Sequence, residues 1–241
     1  MRLVDLAPVI AATWPAVSTR IAGPFALPEG AGGGQRVSAA RLANPNDTDA
    51  TEAQIDAALA GLDQMGQPGL FMVLDHQTAL DARLAARGFG PRDATLALTI
   101  PCARIAAPPP PVSCFSIWPP LAIQTEIWAA GGIGPDRLAV MDRAIDPKMS
   151  FLGRSQDRPA GCAFVAVHDG VAMLHALEVL PMSRRRGLAL LMMRAAADWA
   201  LGHGAQTLSV LVTGENQPAR GLYASLGFTS VGQYHYRSLT A

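Results

Sequence analysis

Val179-Leu180-Pro181-Met182-Ser183-Arg184-Arg185-Arg186-Gly187-Leu188-Ala189 decides how this chain folds. Ahead of it, Val171 to Val179 has the length and apolar content of a strand, and Pro181 ends that strand. After it, Leu188, Leu191, Met192, Ala195 and Trp199 recur at three- and four-residue spacing, which predicts an amphipathic helix from Gly187 to about Leu201. The stretch is therefore a strand-to-helix turn. The first amides of a helix have no intrahelical acceptor, and the helix dipole is positive there. Gly187 lets the backbone approach a ligand closely, and three arginines add charge, so the turn predicts an anion site suited to a pyrophosphate.

The elements on either side follow from similar signals. Leu121 to Ala130 and Pro135 to Ile145 predict short helices, the second with proline at its first position, where an amide donor is dispensable. Met149 to Gly153 and Cys162 to Val167 predict strands, and Asp169-Gly170 predicts the hairpin turn into Val171 to Val179. Downstream come a strand at Thr207 to Val212, a helix through Ala219 to Leu226, a Gly227-Phe228 turn and a last strand near Gln233 to Arg237. The order ααβββαβαβ is that of an α/β layered domain.

Pro108 to Pro111 are four consecutive prolines, which fix φ and remove amide donors, so the chain is expected to cross there as a stiff extended connector. A chain of 241 residues suits two modest domains. The expected division is 1–104, a proline-rich linker at 105–112, and 113–241. The halves also echo each other. Met65-Gly66, Leu70 to Leu74, Ala79 to Arg87 and Gly88-Phe89 parallel His203-Gly204, Leu208 to Val212, Pro218 to Leu226 and Gly227-Phe228. Thr51-x-x-Gln54 makes a capping box, and Ile55, Leu59 and Leu62 supply an apolar stripe like that of the helix after Gly187. The glycine-rich stretch Pro28 to Gly34 has no Lys-Ser pair after it and predicts a flexible hairpin connection.

Composition bounds the function. Half the residues are apolar and 16% are charged, enough for a substantial core and against disorder. Acidic and basic residues balance at 19 each, so no global field favours nucleic acid. No stretch approaches the ~20 apolar residues of a membrane span, and the expectation is a soluble cytoplasmic protein, monomer or homodimer. Cys102, Cys114 and Cys162 lack disulfide or zinc spacing, so three reduced, buried thiols and no metal are expected.

Arg184-x-x-Gly187-x-Ala189, following a Val-x-Pro strand end, resembles the cofactor loop of the GNAT acetyltransferase superfamily, Q/R-x-x-G-x-G/A. The likeness continues in Asn216-x-x-Ala219-x-x-x-Tyr223-x-x-x-Gly227-Phe228, which is similar to the family's second cofactor segment. It covers essentially all of Ser113 to Ala241. The duplication resembles tandem members in which a worn amino-terminal copy precedes a working carboxy-terminal one. The fold implied is two GNAT-like domains, each a mixed, mostly antiparallel sheet flanked by helices.

The resemblance implies acetyl-CoA as cosubstrate and acetyl transfer to an amine of a small molecule, peptide or protein, by direct attack in a ternary complex. Main-chain groups of Leu177 and Val179 would pair with the pantetheine arm, and the loop Arg184, Arg185, Arg186, Gly187, Leu188 and Ala189 would hold the pyrophosphate, with the amides of Arg185 to Ala189 facing it. Asn216 would hydrogen-bond the pantetheine, and Ala219 would leave it room. Such a transfer needs a neutral nucleophile, oxyanion stabilisation and a proton for the departing thiolate. Tyr223 is the candidate acid and Glu178 the candidate base, while the amide of Val179 would polarise the thioester carbonyl. Strand alternation puts His175 on the face opposite Glu178 and marks it as a satisfied core histidine. Tyr234 and Tyr236 should share one face of the last strand, with His235 and Arg237 on the other, in an ordinarily packed edge strand.

Nothing in the first half corresponds to the Arg-x-x-Gly-x-Ala loop, and Leu84 stands where Tyr223 would, so that copy should not catalyse. It would bury an apolar face of the second domain or shape the acceptor pocket between the two. The rival readings are a CoA- or acyl-CoA-binding module without turnover, and a scaffold.

Overall fold

The stripe after Gly187 becomes a helix over Leu188–Gly202, whose Leu188, Met192, Ala195, Ala196 and Ala200 are buried. That helix lies on a sheet of eight strands, and the sheet organises the rest. The structure, a computed structural model, describes residues 1–239; the last two residues of the 113–241 segment lie outside the described residues.

In chain order the described elements are α1 (Leu3–Thr13), β1 (Thr19–Ala22), β2 (Phe25–Pro28), β3 (Arg41–Leu42), α2 (Glu52–Gln64), β4 (Leu70–Leu74), α3 (Thr78–Ala86) and β5 (Phe89–Pro101). After the proline stretch follow β6 (Cys114–Ile117), α4 (Ala122–Ala130), α5 (Pro135–Arg143), β7 (Lys148–Ser155), β8 (Arg158–His168) and β9 (Val171–Val179). The chain ends with α6 (Leu188–Gly202), β10 (Thr207–Thr213), α7 (Gln217–Leu226) and β11 (Thr229–Leu239).

The expected mixed, mostly antiparallel α/β layering is present. β1, β2 and β3 form a small sheet, and the large one runs β4-β11-β5-β10-β9-β8-β7-β6. Strands from both sides of the prolines therefore share one sheet. β10 runs parallel to β9, and the other pairings in the large sheet are antiparallel. One face packs on α6 through Ala163, Val165, Leu174 and Val210. The other packs on α4 and α5 through Cys162, Phe164 and Ala166, with Trp14 joining from the end of α1.

The two halves interlock with a repeating register. Leu70 pairs with Ser238 and Leu74 with Tyr234, while Leu208 pairs with Ile100 and Val212 with Leu96. Leu208 and Val212 each stand 138 residues after Leu70 and Leu74, and Ile100 and Leu96 each 138 before Ser238 and Tyr234, so β10 on β5 repeats the register of β4 on β11. The capping box at the start of α2 forms as the sequence predicts, with Gln54 N donating to Thr51 Oγ1 and Thr51 N to Gln54 Oε1.

The last strand is not an edge. β11 lies between β4 and β5, because its hydrogen-bonding groups on both sides are taken by first-half strands. Tyr234 and Tyr236 do share a face and are buried, and His235 and Arg237 on the other both reach Asp81 of α3 at 2.7 Å. Cys102, Cys114 and Cys162 are unpaired and buried; burial pushes the Cys102 and Cys114 thiols up to about 11. Among the described residues no helix is long and apolar enough to cross a membrane.

Candidate active site

Where β9 leaves β10 the sheet opens. Their parallel pairing runs from Thr207 and Val171 to Val210 and Leu174 and stops there, although both strands continue. The cause lies in β9: opposite β8, the pairs Phe164–His175 and Cys162–Glu178 enclose one residue on β8 and two on β9. Ala176, at φ 51°, takes the left-handed turn of this bulge. The bulge bends β9 away from β10 and leaves its far edge without a partner strand.

That edge presents the groups expected at Leu177 and Val179. Leu180 N donates to Ala160 O of β8, and successive amides of an extended strand point to opposite sides, so the amides of Val179 and Leu177 face the opening. The bulge also overturns one expectation. His175 and Glu178 lie on the same face, not opposite ones, because their partners Phe164 and Cys162 are two residues apart and the extra residue in β9 inverts the alternation.

The turn after β9 has the form of an anion cradle. Arg185 at φ 62° and Gly187 at φ 81° are both left-handed, and Gly187 is the residue ahead of α6. Among the described residues no backbone carbonyl accepts from the amides of Arg185, Arg186, Gly187, Leu188 or Ala189; the first such bond of α6 is Leu191 N to Gly187 O at 2.9 Å. Nothing lies within 4 Å of where a Cβ on Gly187 would stand, so the space before these amides is open. A run of outward amides at a helix start is what a pyrophosphate needs. Leu188 contributes its amide there while its side chain is buried against β7 and β8.

The three arginines do not act alike. Arg185 and Arg186 are exposed, whereas Arg184 folds back on β9: its Nε donates to Val179 O at 2.9 Å and its Nη2 to Glu178 Oε1 at 3.1 Å. Glu178 leans on Gly131 at the end of α4 and faces Cys162. Both approaches leave it outside the lining of the cleft described next.

On the α7 side, Asn216 caps the helix, its Oδ1 accepting from Ala219 N at 3.1 Å, which leaves its Nδ2 free to donate. Further along α7, Tyr223 is 6% exposed and packs against Phe228, with ring centres 5.4 Å apart and planes tilted by 51°. Burial pushes its phenol up to about 12, so it holds its proton at neutral pH.

Leu177, Asn216, Ala219 and Tyr223 line one cleft of about 520 Å³. Its remaining wall includes Tyr234 and Tyr236 of the last strand and Gly34 of the glycine-rich stretch, together with residues that sequence reasoning did not mark: Trp14, Arg36, Asp93 and Arg137. Several come from the first half, which thus shapes the cleft. The one available signal was the glycine-rich stretch ahead of Arg36. It is less loose than expected: a Cβ on Gly33 would fall 2.6 Å from Val140 and 2.9 Å from Val37.

His175 is fixed by a chain of bonds. Thr13 Oγ1 donates to Val9 O at 2.7 Å, so it accepts from His175 Nε2 at 3.0 Å. The lone pair of His175 then sits on Nδ1, where Arg36 Nη1 donates at 3.3 Å. Burial, and then the Arg36 charge, hold His175 well below the usual histidine range. It is a neutral, satisfied histidine, as its sequence setting predicts. Arg36 also lies over the Trp14 ring at 6.0 Å.

Residues 120–228 match the model of the acetyltransferase (GNAT) family. The chain carries the GNAT fold. The uncharacterized N-acetyltransferase YobR of Bacillus subtilis is 25% identical over 94% of each chain. A GCN5-related N-acetyltransferase from Kribbella flavida superposes with a TM-score of 0.75 at 18% identity, over 99% of this chain and 96% of that one. A tandem GNAT protein from the clavulanic acid biosynthesis pathway gives 0.60 at 15% identity, over 97% and 86%.

Proposed function

We propose that this GNAT-fold chain is an N-acyltransferase that moves an acetyl group from acetyl-CoA to a primary amine in a ternary complex. The observation that carries the reading is the opening between β9 and β10, with unaccepted amides from Arg185 to Ala189 at one end and the Tyr223-lined cleft beside it.

Acetyl-CoA supplies an acyl thioester. The chain's part is to hold and orient it: the main chain of Leu177 and Val179 along the pantetheine, the amides of Arg185 to Ala189 at the pyrophosphate with Arg184, Arg185 and Arg186 as surrounding charge, Asn216 Nδ2 as a further donor, and Ala219 as the small residue that leaves room. The Val179 amide, which faces the opening, would polarise the thioester carbonyl. Tyr223 Oη keeps a proton at neutral pH and can deliver it to a departing sulfur. Glu178 is the candidate base, although it is paired with Arg184 and outside the cleft lining, so that pair would have to open for its carboxylate to reach the acceptor amine. Amine-dependent release of CoA thiol is the measurement that tests the activity. Acetyl-CoA bound but never consumed by any amine would favour a CoA-binding module instead.

We also propose a tandem origin, with 1–104 a degenerate GNAT-like copy, 105–112 the connector and 113–241 the working copy. The repeating register across the β5–β11 seam supports it. Leu84, fully buried where the second copy has Tyr223, supports a first copy without catalysis.

A further inference from the structure

The acceptor side of the cleft holds a charge that no carboxylate among the described residues pairs: the Arg36 guanidinium, which has the Tyr234 and Tyr236 hydroxyls beside it. Arg36 Nε is enclosed and has no hydrogen-bond partner among the described residues. Its Nη1 is spent on a neutral histidine, and no carboxylate among the described residues forms an ion pair with it. Asp93, which lines the same cleft, is held by Gln35 Nε2 at 2.9 Å and lies 4.0 Å from Arg92 Nε. Arg137 adds a second cation to the wall, packed over Gly34.

An enclosed guanidinium without an anion is costly, and the group that best answers it is a carboxylate, which its planar fork matches. The wiring behind Arg36 fits such a task. Val9 O, Thr13 and His175 form a fixed line of acceptors, and Trp14 supports the guanidinium plane, so its direction is set before any ligand arrives.

Resting on the acyltransferase reading above, we propose that the acceptor is a small amine that also carries a carboxylate, and that Arg36 binds that carboxylate. His175 is a positioning residue: it points the guanidinium and exchanges no proton with the acceptor. Trp14 would cover the acceptor's carbon skeleton, and the hydroxyls of Tyr234 and Tyr236, which lie beside Arg36, would face the same carboxylate.

The test uses the full chain and matched pairs, the L-amino acids against their α-carboxamides. Two readouts are taken: thiol release from acetyl-CoA, and calorimetric binding of the N-acetylated amino acids and their amides, with and without CoA. The proposal expects at least one carboxylate to be preferred over its amide by roughly 10–100-fold, the span of a charge-assisted hydrogen bond. Arg36→Gln should erase that preference, and Arg36→Lys should keep part of it. His175→Gln should weaken carboxylate binding while leaving acetyl-CoA affinity unchanged. Equal affinity for acid and amide, no binding of any acetylated amino acid, or a preference that survives in a folded Arg36→Gln protein would each overturn it. Failure of the parent reading looks different: acetyl-CoA would give no heat, while the carboxylate preference in binding would stand.

Discussion

Arg237 in the last strand and Asp81 in α3 are joined by two hydrogen bonds, Nε to Oδ1 at 2.7 Å and Nη2 to Oδ2 at 2.8 Å, across the seam between the halves. Asp81 also accepts from His235. The Arg237 bond, and after it the His235 bond, hold the Asp81 carboxyl below the usual range. Asp81→Asn should lower stability by about 2 kcal/mol, because Arg237 is left mostly covered with a neutral partner. Denaturant unfolding of the two proteins checks this. Because the Asp81 shift is downward, the pair's contribution is present above the unfolded carboxylate pKa and lost as pH falls through the folded one. The difference between parent and variant should therefore shrink in acid.

The same seam predicts the outcome of cutting the chain. Ser113 to Ala241 alone would lose both neighbours of β11 and expose Tyr234 and Tyr236. That fragment should be aggregated or unfolded in size-exclusion chromatography and circular dichroism. A monodisperse fragment as heat-stable as the whole would show that β4 and β5 are dispensable.

Gly187→Asp acts on the anion cradle twice. It places a β-carbon at φ 81°, which costs about 1 kcal/mol of backbone strain, and it brings a carboxylate to amides proposed to face a pyrophosphate. Acetyl-CoA affinity should fall at least a hundredfold while the melting temperature moves by a few degrees. Unchanged affinity in calorimetry would remove this loop from the cofactor site.

Tyr223→Phe should lower turnover about 10²-fold with little change in acetyl-CoA affinity, since a proton donor acts only as the thiolate departs. Because burial pushes the phenol up to about 12, its ionisation should not reduce turnover below about pH 11. The sign for stability follows from the same shift. The folded state holds the proton more tightly, so this contribution, about 3 kcal/mol at most for a two-unit shift, is complete below pH 10 and lost as pH rises toward 12. Loss of turnover near pH 9 that disappears in Tyr223→Phe would contradict the assignment.

Legibility in the sequence followed the range of the signal. The turn around Gly187, the helix after it, the Asn216 segment and the Thr51 capping box are local patterns, and the structure forms them within a residue or two of the expected bounds. The relation of His175 to Glu178 was not legible, because one bulge residue, Ala176, inverts a two-residue period without any glycine to mark it. The interior position of β11 and the short strand β6 depend on which strands lie alongside, and pairing partners leave no trace in spacing. Arg36 was hidden for the same reason. It is one arginine in a loop until the fold brings His175, distant in sequence, to its guanidinium.

The central claim, that the opening between β9 and β10 takes acetyl-CoA, is tested most directly by titrating acetyl-CoA into the full-length protein by calorimetry, with desulfo-CoA and ADP alongside. The account predicts one site per chain for acetyl-CoA, near-equal binding of desulfo-CoA, weaker binding of ADP, and loss of all three in Gly187→Asp. No binding, or binding that Gly187→Asp leaves intact, would contradict it.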